Sequence, residues 1–180
     1  MGASSPRWGW HQLEPGWAAK LVADAALPAN ALVIDIGAGH GALTAPLVAR
    51  GVRVIAVESH PARARYLRRR FGDSIVVVRA DASDLRLPLG PYHVVANPPF
   101  AITTAVLRRL LQPGSRLRSA HLVLQHQAAR RWSGHRAPGR ARWARTFAIT
   151  MGPVMPRSAF RPLPAVSARV LVIHRRPEQR

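Results

Sequence analysis

Residues 31–58 have the sequence ALVIDIGAGHGALTAPLVARGVRVIAVE. The aliphatic run over residues 31–36 predicts a buried strand of a parallel sheet, and the glycines that follow it predict a tight turn. A helix is predicted over residues 42–50, and residues 52–57 are aliphatic enough to form a second buried strand. A strand, a glycine-rich turn, a helix and a second strand together indicate an α/β fold.

Strands and helices alternate on both sides of this stretch. Further helices are predicted over residues 15–27, 61–71, 103–111 and 125–132. Further strands are predicted over residues 74–79, 92–96, 120–124, 146–154 and 166–174. The alternation indicates a doubly wound, mostly parallel seven-stranded sheet of the Rossmann-like class in a single domain. We expect an irregular N-terminal arm over residues 1–14, the domain over residues 15–176, and a mobile basic loop over residues 133–145.

The chain is strongly basic. It has 27 lysine and arginine residues against 8 aspartate and glutamate residues, which gives a net charge of +19. No carboxylate side chain occurs between Asp84 and Glu178. Such an excess of positive charge favours a polyanionic partner, and we expect nucleic acid rather than an acidic protein or a membrane surface.

Composition disfavours several classes of protein. The 180 residues include no cysteine, so the chain has no disulfide, thiolate metal site or cysteine nucleophile. No apolar run approaches the ~18 residues that a membrane-spanning helix needs, and residues 1–15 lack the apolar centre of a signal peptide. The histidines show no metal-ligand spacing and are expected at the surface or in turns. We therefore expect a cytoplasmic protein with no metal and no membrane association.

The turn after the first strand is typical of a site for a nucleotide-like ligand. In Asp35-Ile-Gly37-Ala-Gly39-His-Gly41, the glycines let backbone N–H groups and a helix N-terminus approach a ligand closely. Two ligand classes remain open at this point, a dinucleotide and S-adenosylmethionine. Glu58, at the end of the second strand, suits the ribose hydroxyl groups of either class.

The third strand ends in residues that suit a purine. The carboxylate of Asp81 can accept a hydrogen bond from an adenine amino group, and the backbone N–H of Ala82 can donate to a ring nitrogen. Asp84, close by, is expected to cap a helix or turn. We therefore favour Asp81 over Asp84 as the ligand-binding carboxylate.

The sequence Asn97-Pro98-Pro99-Phe100 ends the fourth strand, at the edge where α/β sheets bind ligands. Prolines have no N–H group, so this turn presents carbonyl acceptors, to which Asn97 adds a side-chain oxygen. Two acceptors at one place suit an exocyclic amino group, and Phe100 offers a flat face on which a base can stack. Acceptors that hold both hydrogens of an adenine amino group favour attack by its nitrogen on a sulfonium methyl group. A dinucleotide-dependent oxidoreductase explains neither Asp81 nor this turn.

This series of motifs resembles the Erm family of ribosomal RNA adenine N6-methyltransferases, which confer macrolide–lincosamide–streptogramin B resistance. Similar blocks continue at residues 103–111, 122–125 and 160–166, and the likeness extends over about residues 8–175. The most similar form is the short mycobacterial one, which lacks the helical C-terminal domain that helps to hold RNA in most relatives. The resemblance implies a class I methyltransferase fold and S-adenosyl-L-methionine as methyl donor. It implies an adenine of 23S rRNA as substrate, in free RNA or in a ribosomal precursor particle.

The resemblance also assigns roles to individual residues. The expected catalytic residues, which hold the target base, are Asn97, Pro98 and Phe100. The expected cofactor contacts are His11, Leu13, Asp35, Gly37, Gly39, Gly41, Glu58, Asp81, Ala82 and Asn97. Where the family commonly has Gln-Asn-Phe-Leu, this chain has Trp10-His11-Gln12-Leu13, so His11 is expected to substitute for the asparagine. Phe160 is expected to close over the base.

Without the helical domain of the family, RNA has to be held by the catalytic domain itself. We expect arginine side chains to neutralise phosphates, and Trp132 and Trp143 to stack on bases. The expected RNA-binding residues are Arg108, Arg109, Arg116, Arg118, Arg130, Arg131, Arg140, Arg142 and Phe160.

Two kinds of alternative remain open. Within the same fold, an Asn-Pro-Pro-aromatic turn also serves methylation of DNA adenine and of protein side-chain amides, and the nearest functional relative is a small-subunit rRNA dimethyltransferase. From a different class, the chain could be a non-catalytic RNA-binding module with a degenerate cofactor site. Binding of the methyl donor by the purified protein would discriminate between a module of this kind and an enzyme.

Overall fold

Seven strands form one central sheet, and the strands at its centre consist mostly of buried residues. The computed structural model describes residues 11–177. The strands are β1 (Gln12–Leu13), β2 (Leu32–Ile36), β3 (Arg53–Val57), β4 (Ile75–Val78), β5 (Tyr92–Ala96), β6 (Leu117–Gln125), β7 (Phe147–Met155), β8 (Phe160–Arg161) and β9 (Ala168–Arg175). The helices are α1 (Pro15–Asp24), α2 (Thr44–Ala49), α3 (Pro61–Phe71), α4 (Thr103–Leu110), α5 (His126–Ser133) and α6 (Arg140–Trp143).

The central sheet has the strand order β4-β3-β2-β5-β6-β9-β7. The first five strands in this order are parallel, and β9 is antiparallel to both β6 and β7. The predicted doubly wound, mostly parallel seven-stranded sheet is therefore confirmed.

The strand order reverses between β2 and β5, because the chain passes outward from β2 to β4 and then returns to the other side of β2. At such a point the loops after two neighbouring strands diverge and leave a crevice at the carboxyl edge of the sheet. Gly37 directly follows β2 and Asn97 directly follows β5. The fold therefore brings the glycine-rich turn and the Asn-Pro-Pro-Phe turn to one crevice.

Helices cover both faces of the sheet, which is why its parallel strands carry aliphatic residues on both sides. Leu47 of α2 and Leu67 of α3 belong to the core on one face. Leu107 of α4 and Trp132 of α5 belong to the core on the other. Burial of each such side chain contributes roughly 2 kcal/mol of hydrophobic stabilisation.

Local sequence signals explain the bounds of α3. Pro61 lies in the first turn, where an N–H group has no acceptor within the helix, so a proline there removes no helical hydrogen bond. The ring of His60 caps this end by accepting a hydrogen bond from the N–H group of Ala62 at 3.2 Å. Arginines 68–70 occupy the last turn, where the helix dipole favours positive charge. The helix consequently has the bounds that the sequence predicts.

The segment 133–145 is not the predicted mobile loop. It contains α6, and the indole of Trp143 is 4% exposed and donates from Nε1 to the carbonyl of Pro138 at 3.0 Å. Trp132 is 2% exposed and belongs to the same core. The prediction that these two indoles stack on RNA bases is therefore wrong, because both are packed against the sheet.

A second, two-stranded sheet joins the start of the described chain to the segment between β7 and β9. In it β1 pairs antiparallel with β8. The N–H group of Glu14 donates to the carbonyl of Ala159 at 2.9 Å, and Arg161 Nε lies 3.2 Å from Glu14 Oε1. Residues 11–14 are therefore bound to the domain rather than part of an irregular arm, whereas residues 1–10 lie outside the described residues.

His121 differs from the expectation that histidines lie at the surface or in turns. It lies within β6, is 6% exposed, and its Nδ1 has no hydrogen-bond partner among residues 11–177. The pKa of His121 is lowered to about 4, chiefly by burial; His174 and His93 contribute to the lowering and Asp24 opposes it. His121 is therefore neutral at physiological pH and serves as a core residue.

No helix within residues 11–177 is both long enough and apolar enough to cross a membrane.

Candidate active site

A small pocket opens at the carboxyl edge of the sheet, between the turns that follow β2 and β5. Its lining residues come from β1, the glycine-rich turn, the start of α2 and the Asn-Pro-Pro-Phe turn: Gln12, Leu13, Asp35, Gly37, Ala38, Ala42, Leu43 and Asn97. The structure thus brings four of the predicted site residues, Leu13, Asp35, Gly37 and Asn97, into one cavity.

Gly37 separates the two turns that form this pocket. Its φ angle is +76°, and a Cβ atom at this position would lie 3.0 Å from Pro99 Cδ and 3.4 Å from Pro98 Cα. Any side chain at residue 37 would therefore push the two turns apart. Gly41, with φ +85°, has a different role, because a Cβ there would lie 2.7 Å from Cε2 of Phe71 in α3. Packing of α3 accounts for Gly41 without a ligand.

Glu58 binds the glycine-rich turn to the end of β3. Its side chain is 4% exposed; Oε2 accepts from the N–H group of Gly39 at 2.9 Å and Oε1 from that of His60 at 2.8 Å. The guanidinium of Arg63 lies 3.9 Å from Oε1. Because a carboxylate offers about four lone-pair positions, Glu58 retains acceptor capacity for the hydroxyl groups of a ligand.

Asp35 is a buried carboxylate in the wall of the pocket. Its Oδ2 accepts from Thr44 Oγ1 at 2.7 Å. Burial raises the pKa of Asp35 to about 7; the hydrogen bond from Thr44 opposes this rise, and the nearby Glu58 adds to it. Two buried carboxylates at the ends of neighbouring strands favour a cationic ligand, because a positive charge would relieve their mutual repulsion.

Asp81 caps the short turn over residues 82–84. Its Oδ1 accepts from the backbone N–H of Ser83 at 2.8 Å and from Ser83 Oγ at 2.7 Å. These two hydrogen bonds lower the pKa of Asp81. The capping role that the sequence assigned to Asp84 thus belongs to Asp81. Asp81 is nevertheless exposed, and its Oδ2 has no partner among residues 11–177, so one oxygen is open to a ligand beside the buried Ala82.

The Asn97 turn presents two acceptors and one ring. The Asn97 amide donates from Nδ2 to the carbonyl of His11 at 2.6 Å, and no residue among 11–177 donates to Oδ1. The carbonyl of Pro99 accepts from the N–H group of Ile102 at 3.1 Å, whereas that of Pro98 accepts no backbone hydrogen bond within the described chain. Asn97 Oδ1 and Pro98 O are therefore the acceptors of this turn. The half-buried ring of Phe100 follows them.

Most of the predicted RNA-binding arginines are exposed beside two grooves on the face that carries α4, α5 and α6. Arg108, Arg140 and Arg142 line a groove of about 810 Å³ between the end of α4 and the 137–143 segment. Arg130 and Arg131 line a second groove of about 510 Å³.

Arg109 and Phe160 differ from the other predicted RNA contacts. Half-buried Arg109 donates from Nε to the carbonyl of Leu85 at 2.8 Å, which fixes α4 to the loop that precedes β5. Phe160, in β8, is 0% exposed and belongs to the core under α1. Its expected role over a base disagrees with this position, because the ring is packed inside the domain. Arg116 and Arg118 are exposed at the start of β6.

Sequence reasoning missed three kinds of contact in the pocket. Gln12 enters its wall because β1 pairs with a strand far along the chain, which no local pattern reveals. Ala42 and Leu43 line it because α2 begins later than predicted. Thr44 acts on the pocket through its hydrogen bond to Asp35, and no local sequence pattern marks this pair. Within residues 11–177, no group of three or more histidine or carboxylate side chains is arranged to hold a metal.

Comparisons with known proteins agree with this geometry. The family described as "Ribosomal RNA adenine dimethylase" matches residues 14–180. The mycinamicin-resistance protein MyrB of Micromonospora griseorubida is 41% identical over 150 residues, which cover 80% of this chain and 47% of that protein. An rRNA adenine N-6-methyltransferase of Corynebacterium diphtheriae is 40% identical over 146 residues, which cover 79% of this chain and 57% of that protein.

The fold is also that of a solved rRNA methyltransferase. The crystal structure of the 23S rRNA methyltransferase ErmE superimposes with a TM-score of 0.83 at 27% identity, over 93% of this chain and 70% of that one. The chain spans about half the length of the curated relatives named above. The resemblance predicted from the motifs is confirmed, and the chain belongs to the ribosomal RNA adenine dimethylase family.

Proposed function

We propose that this protein transfers a methyl group from S-adenosyl-L-methionine to N6 of an adenine in 23S rRNA, and so confers resistance to macrolide-type antibiotics. One observation carries the proposal: Asn97 Oδ1 and Pro98 O accept no hydrogen bond from residues 11–177, and their turn lies against Gly37 in the wall of the candidate pocket. The similarity to a mycinamicin-resistance protein and to a 23S rRNA methyltransferase supports the choice of substrate.

The residues of the pocket fit S-adenosyl-L-methionine. The pocket lies between two turns that approach closely because residue 37 has no Cβ atom, and the buried carboxylates of Asp35 and Glu58 complement a cationic ligand. We assign Glu58 to the ribose hydroxyl groups, because its carboxylate retains acceptor capacity, and Asp81 with Ala82 to the adenine ring, because one oxygen of Asp81 is open to a ligand. When bound, the cofactor supplies an electrophilic methyl group on a sulfonium.

The chain itself contributes positioning rather than acid–base chemistry. Asn97 Oδ1 and Pro98 O accept the two hydrogens of the adenine amino group and turn its lone pair out of the plane of the ring. Phe100 packs against the base. Holding the reacting nitrogen in this way replaces a bimolecular encounter by a preorganised one, which is worth several kcal/mol of the barrier.

RNA is the substrate that the charge distribution favours. The exposed arginines of the two grooves face solvent on one side of the domain, in the part of the sequence that has no carboxylate. We place the catalytic domain over residues 15–176 with β1 as one wall of its pocket. The enzyme acts in the cytoplasm, on ribosomal RNA or on a precursor particle.

The test uses labelled S-adenosylmethionine, total ribosomal RNA from a drug-sensitive bacterium, and primer extension to map the modified base. Asn97→Ala is expected to lower methyl transfer by about 10²-fold or more, while the affinity for the methyl donor changes little. Asn30→Gly is the matched control, because Asn30 is an exposed asparagine in a loop that glycine tolerates at its φ of +57°.

Full activity of Asn97→Ala would contradict the assignment of the base-holding turn. Label in DNA or protein rather than RNA would reject the substrate, and a primer-extension stop in the small-subunit RNA would reject the choice of 23S rRNA.

A further inference from the structure

One residue, His11, contacts two segments that lie far from it in the sequence, the 97–100 turn and the segment that contains Pro162. Its backbone carbonyl accepts from Asn97 Nδ2 at 2.6 Å, and its Nδ1 lies 2.8 Å from the carbonyl oxygen of Pro162. Its ring lies 6.1 Å from the ring of Phe100, centroid to centroid, at an interplanar angle of 33°. His11 is thus placed against both functional side chains of the base-holding turn.

The contact with His11 fixes which way the Asn97 amide points. A backbone carbonyl can only accept, so the amide must direct its NH2 group to His11 and its oxygen away from it. If the amide rotated by 180°, two oxygens would face each other and the available acceptor would be lost. The acceptor character of the site therefore depends on the position of the His11 carbonyl.

The side chain of His11 in turn fixes that carbonyl. The carbonyl oxygen of Pro162 can only accept a hydrogen bond. Nδ1 of His11 must therefore carry the hydrogen and donate it. The paired strands β1 and β8 are only two residues long, and His11 directly precedes β1. A hydrogen bond beyond the end of so short a pairing restrains residue 11 where the ladder does not reach.

We propose that His11 is a positioning residue for methyl transfer: its Nδ1–Pro162 bond fixes its own carbonyl, which holds the Asn97 amide with Oδ1 directed to the target amino group. The inference rests on the proposed function and differs from the expected cofactor contact. The pocket is lined by the next two residues, Gln12 and Leu13, but His11 is absent from its lining.

Three substitutions separate a positioning role from a structural one. His11→Phe keeps a ring beside Phe100 but removes the donor, His11→Ala removes both, and His11→Asn restores an N–H donor close to the position of Nδ1. We expect kcat to fall about 10- to 100-fold in the Phe and Ala variants, because small displacements of a positioned group have effects of this size. His11→Asn should recover most of kcat, while the affinity for S-adenosylmethionine stays within about twofold in all three, since binding energy common to ground and transition states is unaffected.

A second readout does not depend on activity. In NMR spectra, the side-chain amide signals of Asn97 are assigned by their loss in Asn97→Ala. The protons of this amide should exchange with water more slowly in the wild-type protein and in His11→Asn than in His11→Phe. Equal kcat in wild type and His11→Phe, or equal exchange, would overturn the inference. The inference would also be overturned if the variants that lose kcat lost affinity for the methyl donor and melting temperature as well, because that pattern indicates general damage to the fold. A wild-type protein that transfers no methyl group to RNA would instead reject the proposed function and leave the exchange result to decide the role of His11.

Discussion

At the scale of single residues, Asp35 has the most unusual electrostatics in the pocket. The loop of Gly37 and the neighbouring Glu58 leave it buried and beside a like charge, so its pKa rises to about 7. A carboxyl group with such a pKa changes its charge within the physiological range, whereas an exposed aspartate does so near pH 4. Binding of a cation next to Asp35 must therefore depend on pH.

We expect the affinity for S-adenosylmethionine to rise as pH increases from 5.5 to 7.5. Below pH 7 Asp35 is protonated and neutral, and above it the ionised form attracts the cationic cofactor, so the sign of the effect is tighter binding at higher pH. Asp35→Asn should bind more weakly and lose most of this dependence. Calorimetric titration at several pH values provides the measurement.

Thr44→Val supplies a sharper version of the same experiment. It removes the 2.7 Å hydrogen bond that favours ionised Asp35, at nearly constant volume. The midpoint of the pH dependence should therefore move to higher pH. An unchanged pH profile in both variants would show that Asp35 does not titrate in this pocket.

At the scale of elements, the sequence predicted what depends on local pattern. The bounds of α3 and β5 agree with prediction because each has a clear start signal and an apolar pattern of its own. The glycine-rich turn and the Asn97 turn were identifiable because each is a run of turn-forming residues directly after an aliphatic strand pattern. The pair β1–β8 was not predictable, because two-residue strands have no periodicity and their pairing is decided by residues far apart.

The 133–145 segment shows how composition can mislead. Glycine, proline and arginine dominate it, yet Trp143 anchors it to the core, and Arg140 lies 5.8 Å above the centre of the indole. We predict that Trp143→Ala lowers the free energy of unfolding by about 3 kcal/mol or more, in the range found for large buried aromatic residues. Urea denaturation gives this value directly.

The same variant should become more sensitive to trypsin at Arg140 and Arg142, because these peptide bonds lose their ordered turn. Trp17→Ala is the control, since Trp17 is only half-buried and lies on the opposite face. Rapid tryptic cleavage at Arg140 and Arg142 in the wild-type protein would indicate that the segment is mobile after all.

At the scale of the whole molecule, the arginine-lined groove and the candidate active-site pocket lie at different places. The pocket is at the carboxyl edge of the sheet, where α4 begins, whereas the groove lined by Arg108, Arg140 and Arg142 adjoins the other end of α4. An eight-residue helix is about 12 Å long. RNA that reaches both must extend along this face beyond the target nucleotide, so a longer RNA should gain affinity that a short one does not.

Charge removal in the groove should weaken RNA binding and flatten its dependence on salt. For Arg108→Gln/Arg142→Gln, the slope of log Kd against log salt concentration should fall by about 1.4, because each phosphate contact to a single strand contributes about 0.7. Arg65→Gln/Arg69→Gln removes the same charge from exposed positions of α3 on the opposite face and should leave the slope nearly unchanged. Equal slopes for the two variants would exclude the groove as a docking surface. Filter binding over a salt series measures both.

The contact between His11 and Pro162 joins residues that are 151 positions apart, and this has a consequence for synthesis of the chain. Translation at roughly 5–20 residues per second needs about 3 to 13 s to proceed from Asn97 to Pro162. During that interval the nascent chain contains the acceptor turn without the segment that braces it. On the proposed function, a ribosome making this protein therefore does not carry a complete methyl-transfer site before Pro162 has been added.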